Sequence, residues 1–405
     1  MTGRLVIIGA GQAGFALAAK LRALGDSRPI TIVGAEESLP YQRPPLTKKY
    51  LLGEMTFDRL LFRPEHWYAD NNVDIRLSTW VEQINRAAKQ IVMQDGSVLG
   101  YETLALATGA TPRRLPPSVG GTLEGVYLAR DKRDADLLAG EMRPGRRVLI
   151  IGGGYIGLEA AAVARHRGLE VTLIEMSDRI LQRVAAKETA DIFRAIHSKH
   201  DVVIREKTGL KQLVGRNGHV AAAELSDGST IDVDFVVVGI GVAPNDRLAK
   251  EAGLEVGNGI VVDSFARTSD PSIFAVGDCV ELPWEGGRIR LESVQNAVDQ
   301  AEAAAEIIAG GNEAYDPKPW FWSDQYDVKL QIAGFNLGYD ETLMRAGARE
   351  GSVSVWYFKQ GRFIAVDAVN DAKAYVTGKK LLETGVNPSK AVLADPAADI
   401  KQLLV

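Results

Sequence analysis

Two six-residue glycine motifs have the residue types and spacing to do chemistry: Gly9-Ala10-Gly11-Gln12-Ala13-Gly14 and Gly152-Gly153-Gly154-Tyr155-Ile156-Gly157. In the G-x-G-x-x-G pattern the first glycine allows a tight turn. The second lets a pyrophosphate approach the backbone, and the third lets a helix pack closely on a strand. Amides at the start of that helix, aided by its dipole, can hold the phosphate. Each motif is followed by acids placed to accept from a ribose hydroxyl. Glu36 and Glu37 follow the first, and Glu175 lies eighteen residues past Gly157. A carboxylate there favours NAD, because it repels the 2′-phosphate of NADP.

Such motifs need a strand before them and a helix after. Leu5–Ile8 reads as a buried strand, Phe15–Leu24 as a helix and Ile30–Val33 as the next strand. Val148–Ile151, Leu158–Arg167 and Val171–Ile174 repeat the order, with Arg179 and Arg183 on the exposed face of a further helix. One dinucleotide site accounts for one motif. Two suggest two dinucleotides, such as FAD and NAD, the alternative being a duplicated fold with one inactive copy.

Other stretches fit that frame. Leu104–Pro112 is a buried strand leaving through Ala107-Thr108-Gly109, where small residues let a ligand approach the backbone. Ile231–Asn245, a strand with an exit through Gly239 and Gly241, is its counterpart in the second unit. Ile273–Val276 ends in Gly277-Asp278, a carboxylate suited to a ribityl or ribose hydroxyl. A helix of small residues runs over Val298–Ile308 after Glu292–Ala297, its positive end aimed at a cofactor. Pro44-Pro45 forbid a helix, which can restart at Leu46. The stretch is either a surface connector or a rigid turn presenting Arg43 and Lys48 to a dinucleotide. From Pro319 an aromatic cluster (Trp320, Phe321, Trp322) precedes alternating strands at 329–332, 341–345, 352–358 and 362–369, a small antiparallel sheet, and then a helical tail.

The 405 residues suit two or three domains. A net charge of −5 argues against nucleic-acid binding driven by bulk charge. The sequence shows no apolar run of membrane-spanning length and no signal peptide, so the expected location is cytoplasmic. Cys279 is the one cysteine, so no internal dithiol exists; it reads as a small buried filler. Five scattered histidines show no metal-ligand spacing.

Taken together, Gly9–Gly14, Pro44–Lys48, Ala107–Gly109, Gly152–Glu159, Val276–Asp278 and Trp320-Phe321-Trp322-Ser323-Asp324-Gln325 resemble, in order and over nearly the whole chain, the NADH-dependent ferredoxin reductases of bacterial oxygenase systems. The putidaredoxin, rubredoxin and biphenyl-dioxygenase reductases are of this type. The resemblance implies an α/β fold: an FAD domain (1–112 and 245–318) interrupted by an inserted NAD domain (113–244), then a C-terminal α/β domain (319–405). It implies Lys48 beside the flavin near N5, Glu159 paired with it, Asp278 on the ribityl chain, and Val81, Arg130 and Val294 touching FAD. Trp322 would sit near the flavin edge. Relatives carry an acid after Val33-Gly34 where this chain has Ala35, so Glu36 becomes the ribose candidate.

The implied reaction passes a hydride from NADH to flavin N5, then single electrons to a 2Fe-2S ferredoxin. That partner is expected to be acidic and to meet Arg290, Lys329, Arg345 or Lys359; a monomer is expected. The absence of a cysteine between Tyr41 and Tyr50 separates the chain from flavin peroxidases and oxidases of this fold. Rubredoxin or quinone reduction, or an NADH-sensing flavoprotein acting mainly by partner binding, are the alternatives.

Overall fold

Runs of four consecutive apolar residues, too short for helices and buried on both faces, become the central strands of two parallel sheets. The computed structural model describes residues 3–404 and divides them into two compact units.

The first unit takes residues 3–42, 57–111 and 242–319. Its sheet runs Ile273–Ala275, Thr103–Leu106, Leu5–Ile8, Ile30–Val33, Val73–Arg76, every pair parallel. Leu5–Ile8 lies in the middle and leads straight into the first glycine motif. Helix Gln12–Ala23 buries Phe15, Leu17, Ala18 and Leu21. It shares a core with helix Val294–Ile308, whose Ala297, Ala301, Ala304 and Ala305 are buried. Ser293 caps that second helix, accepting from the Asn296 amide. Both helices start earlier than the apolar periodicity predicts.

The second unit takes residues 43–56, 112–241 and 320–404. Its parallel sheet repeats the plan in the order Val203–Arg205, Glu170–Ile174, Arg147–Ile151, Phe235–Val238, Val126–Tyr127. Phe235–Val238 pairs with Arg147–Ile151 as Thr103–Leu106 pairs with Leu5–Ile8, so the expected correspondence holds. The stretch 231–245 is not one strand, however. It breaks into Thr230–Asp232, which pairs antiparallel with His219–Leu225, then Phe235–Val238 in the parallel sheet, and then Val242–Pro244 after Gly239 and Gly241 turn the chain, Gly241 at φ +94°.

The C-terminal part of this unit is an antiparallel sheet of five strands, one more than expected, in the order Trp320–Gln325, Val328–Gly334, Arg362–Val369, Val353–Lys359, Glu341–Ala346. The added strand is the aromatic cluster itself. Leu330, Ile332 and Val369 join a core with Ile150, Leu158, Leu173 and Phe193 of the parallel sheet and its helices.

Four further expectations are corrected. Pro44-Pro45 do not forbid helix: they open a 3-10 turn, Pro44–Thr47, where a missing amide costs nothing. No helix restarts at Leu46; turns follow. Arg179 and Arg183 lie on no helix, since 176–185 is bends and turns. The Arg179 guanidinium donates to the Ala185 carbonyl at 2.7 Å and to those of Ile180 and Ala186, holding that turn together. Arg345 is buried and donates to the carbonyls of Val392, Leu393, Asp395, Pro396 and Ala398. Its charge faces the C-terminal segment and is withdrawn from any partner. Lys329 and Lys359 are exposed.

Candidate cofactor and electron-transfer site

In the first unit Gly9 turns at φ +121°, a conformation that disfavours side chains. A Cβ there would stand 2.0 Å from the Ala107 carbonyl oxygen, and one on Gly14 would stand 1.9 Å from the Gly9 carbonyl oxygen. Both are therefore packing glycines. A Cβ on Gly11 would meet nothing within 4 Å. That open space beside the helix start is where a pyrophosphate fits. The Gln12 side-chain oxygen is buried there with no partner among the described residues.

Gly277, at φ +82°, brings the Asp278 segment to the same loop, since its Cβ would lie 3.1 Å from the Ala13 methyl. Val294 begins the helix that packs on the motif helix. Thr108 donates to the Asn245 carbonyl at 2.7 Å. Glu36 lies half-buried past the second strand and accepts from the Tyr41 hydroxyl at 2.6 Å, while Ala35 is exposed. Val81 is buried at the start of a three-stranded meander. Cys279 is buried with its sulfur against the Val276 carbonyl, and burial pushes its thiol pKa up, as befits a filler. The residues thus fit an FAD dinucleotide.

The second unit repeats the device. Gly152 turns at φ +109°, a Cβ on Gly157 would stand 2.1 Å from the Gly152 carbonyl oxygen, and Gly154 faces open space. Glu175 accepts from the Gly153 amide at 2.8 Å and the Ser177 amide at 2.7 Å, which ties it to the loop. Tyr155 packs against Phe321 with centroids 4.9 Å apart, Ile156 is exposed, and Trp322 lies 5.5 Å from Trp320. The Arg183 guanidinium lies 3.5 Å from where a Gly241 Cβ would stand. Arg43 donates to the Arg130 carbonyl at 3.2 Å.

In this same unit the Lys48 ammonium lies 2.8 Å from Glu159. Lys48 follows directly on the 3-10 turn that Pro44 and Pro45 open. Glu159 sits on helix Tyr155–His166, one turn past the glycine loop, and is 3% exposed. Burial raises its pKa, and Lys48, Ser323 and Thr47 pull it back down. Ser323 donates to it at 2.7 Å and Thr47 at 3.1 Å.

Motif reading included Thr47, Ser323 and Gln325 in its matched stretches without giving them a role and missed His197 and Tyr326; the five form the polar surroundings of this pair. Period-two alternation in 320–325 was a further signal, since it points Ser323 and Gln325 inward. Among the described residues no cluster of His, Cys, Asp and Glu could hold a metal, and no helix is long and apolar enough to cross a membrane.

Two glycine cradles, each at the end of a central parallel strand and each with its own acid, define a two-dinucleotide oxidoreductase. The chain belongs to the family described as pyridine nucleotide-disulphide oxidoreductase, which matches residues 3–301, and a reductase C-terminal domain matches 320–404. It is 41% identical over 411 residues to ferredoxin–NAD(P)(+) reductase of Sphingomonas sp, covering 99% of this chain and 97% of that one. It is likewise 41% identical to rhodocoxin reductase of Rhodococcus erythropolis, covering 98% and 93%. The reductase in the covalent putidaredoxin reductase–putidaredoxin complex superposes with a TM-score of 0.96 at 36% identity, covering 99% and 98%. The chain is accordingly a flavoprotein of the ferredoxin–NAD(P)+ reductase kind, moving electrons from a nicotinamide nucleotide by way of FAD to a ferredoxin-type partner. The α/β class and the resemblance read from the sequence hold.

Proposed function

We propose that this chain takes hydride from NADH and delivers electrons one at a time to a 2Fe-2S ferredoxin that feeds a monooxygenase or dioxygenase. The observation that carries this reading is Cys279. It is the only cysteine and is buried, so no dithiol can receive the electrons inside the chain and they must leave to an external acceptor. Bound FAD would supply a centre that accepts a hydride and gives up electrons singly.

The remaining work belongs to side chains and backbone. Gly9, Gly11, Gln12, Ala13 and Gly14 cradle the FAD pyrophosphate, and Glu36, next to Ala35, takes its ribose. Arg43, Val81, Ala107, Thr108, Gly109, Arg130, Gly277, Asp278 and Val294 line the rest of the cofactor. Gly152, Gly154, Tyr155, Ile156 and Gly157 bind the nicotinamide dinucleotide with Gly241, and Glu175 selects NADH. Lys48 balances negative charge on the reduced ring, Glu159 holds Lys48, and Trp322 packs at the ring edge. The domains follow the cofactors: 1–112 with 245–318 for FAD, 113–244 for NAD, and 319–405 as the C-terminal domain. The partner has an acidic surface, and the protein works as a cytoplasmic monomer.

Anaerobic stopped-flow mixing of the yellow protein with NADH or NADPH, then with a ferredoxin or a rubredoxin, tests this. Fast bleaching by NADH and fast cluster reduction are expected. Fast bleaching with slow delivery to every iron–sulfur partner would replace this reading with a quinone reductase or an NADH-sensing binder.

A further inference from the structure

Glu159 is the end of a chain of hydrogen bonds that leads away from the glycine loop. Ser323 donates to Glu159 Oε1, and the Gln325 amide donates to Ser323 Oγ at 3.1 Å. His197 Nε2 lies 2.7 Å from Gln325 Oε1, and the Tyr326 hydroxyl lies 3.2 Å from His197 Nδ1. An amide oxygen only accepts, so His197 must carry its proton on Nε2 and accept from Tyr326 on Nδ1. Every donor therefore points toward Glu159. Ser323, Gln325 and His197 are fully buried, whereas Tyr326 is half-buried and stacks on His200 with centroids 3.7 Å apart.

A buried polar chain with one direction polarises each of its bonds toward the group at its end. We propose that His197 and Gln325, through Ser323, are positioning residues that keep Glu159 ionised and thereby keep the charge of Lys48 compensated. This rests on the assignment of Lys48 and Glu159 to the flavin made above. Charge compensation matters for the proposed reaction: an uncompensated ammonium beside the ring favours its reduced, anionic state, whereas a paired one does so less.

The charged and titratable groups around the chain are few. Among the described residues Lys48 is the cation that pairs with Glu159. At the far end Arg165 donates to the His200 carbonyl, pairs with Asp201 and bears on Tyr326, and His200 stacks on Tyr326. Burial holds the His197 pKa down at about 4, so the ring stays neutral and keeps its direction at working pH.

The test uses the FAD-loaded protein and two readouts other than turnover. The first is the infrared carbonyl stretch of a protonated Glu159, followed against pH and assigned by its loss in Glu159→Gln. The second is the flavin midpoint potential against pH. In His197→Leu and Gln325→Leu the Glu159 band should appear at a pH about one unit higher than in the parent, with a more positive potential. His197→Gln, which keeps a donor facing Gln325, should return toward the parent. Should the leucine variants fail to fold, Tyr326→Phe, which removes only the last hydroxyl, should shift the band by less in the same direction. A band unmoved in every folded variant would overturn the proposal. A protein that moves the band but delivers electrons to no iron–sulfur partner would overturn the proposed function and leave the chain standing.

Discussion

Lys48 and Glu159 face each other at 2.8 Å across 111 residues of sequence, with the lysine side chain 18% exposed and the glutamate side chain 4%. That asymmetry decides what each substitution does. Lys48→Met leaves a buried carboxylate without its cation and is expected to destabilise the second unit by about 3–5 kcal/mol. Glu159→Gln leaves a lysine that can still reach water, at a cost of about 1–2 kcal/mol. Urea unfolding compares the two, and stopped-flow bleaching by NADH should slow about 100-fold in Lys48→Met.

The packing glycines and the open glycines should separate cleanly. Gly14→Ala puts a methyl 1.9 Å from a carbonyl oxygen and is expected to destabilise the first unit by about 3 kcal/mol. Gly11→Ala enters open space, so the melting temperature of the flavin-free protein should hold while flavin retention falls about 10-fold or more. Calorimetry and flavin content after gel filtration read the two effects.

Glu175 already spends its carboxylate on two loop amides. Glu175→Ala is therefore expected to do two things at once. It loosens the loop, raising the KM for NADH about 10-fold, and it removes the charge that repels a 2′-phosphate, narrowing the preference over NADPH. Steady-state kinetics with both nucleotides measure the ratio.

Two buried groups in the second unit pull stability in opposite directions between pH 4 and 6.5. Burial raises the Asp367 pKa to about 6, although Tyr357 and Thr189 donate to it. Its unfolded form releases the proton first, so its contribution is full below about pH 3.8 and is lost as pH rises through 6, about 3 kcal/mol in all. Burial lowers the His197 pKa to about 4, so its contribution is full above about pH 6.5 and lost as pH falls through 4, again about 3 kcal/mol. Asp367→Asn should expose the histidine slope, with stability falling toward pH 4. His197→Gln should expose the opposite slope. Denaturant midpoints across a pH series decide.

Arg345 holds five backbone carbonyls of residues 392–398, and among the described residues no carboxylate accepts from it. Arg345→Met should free that segment, expose it to limited proteolysis and reduce stability by about 3 kcal/mol. Lysine should not rescue it, because one ammonium cannot reproduce a planar fork of donors.

The sequence by itself determined both glycine cradles, the strands feeding them and the acids beyond them. Each is written in consecutive residues: an apolar run, a glycine spacing, a helix of small residues. The lone cysteine likewise determined that electrons leave the chain. Only the tertiary structure decided where the polar side chains ended. Gln325 meets His197 across 128 residues, Arg345 turns inward instead of toward a partner, and Arg179 clasps a turn that periodicity read as helix. The reason is physical. A strand or helix is set by the pattern of its own side chains. The partner of a buried charge or amide is set by whichever donor or acceptor the closed chain brings within 3 Å, and no local period encodes that distance.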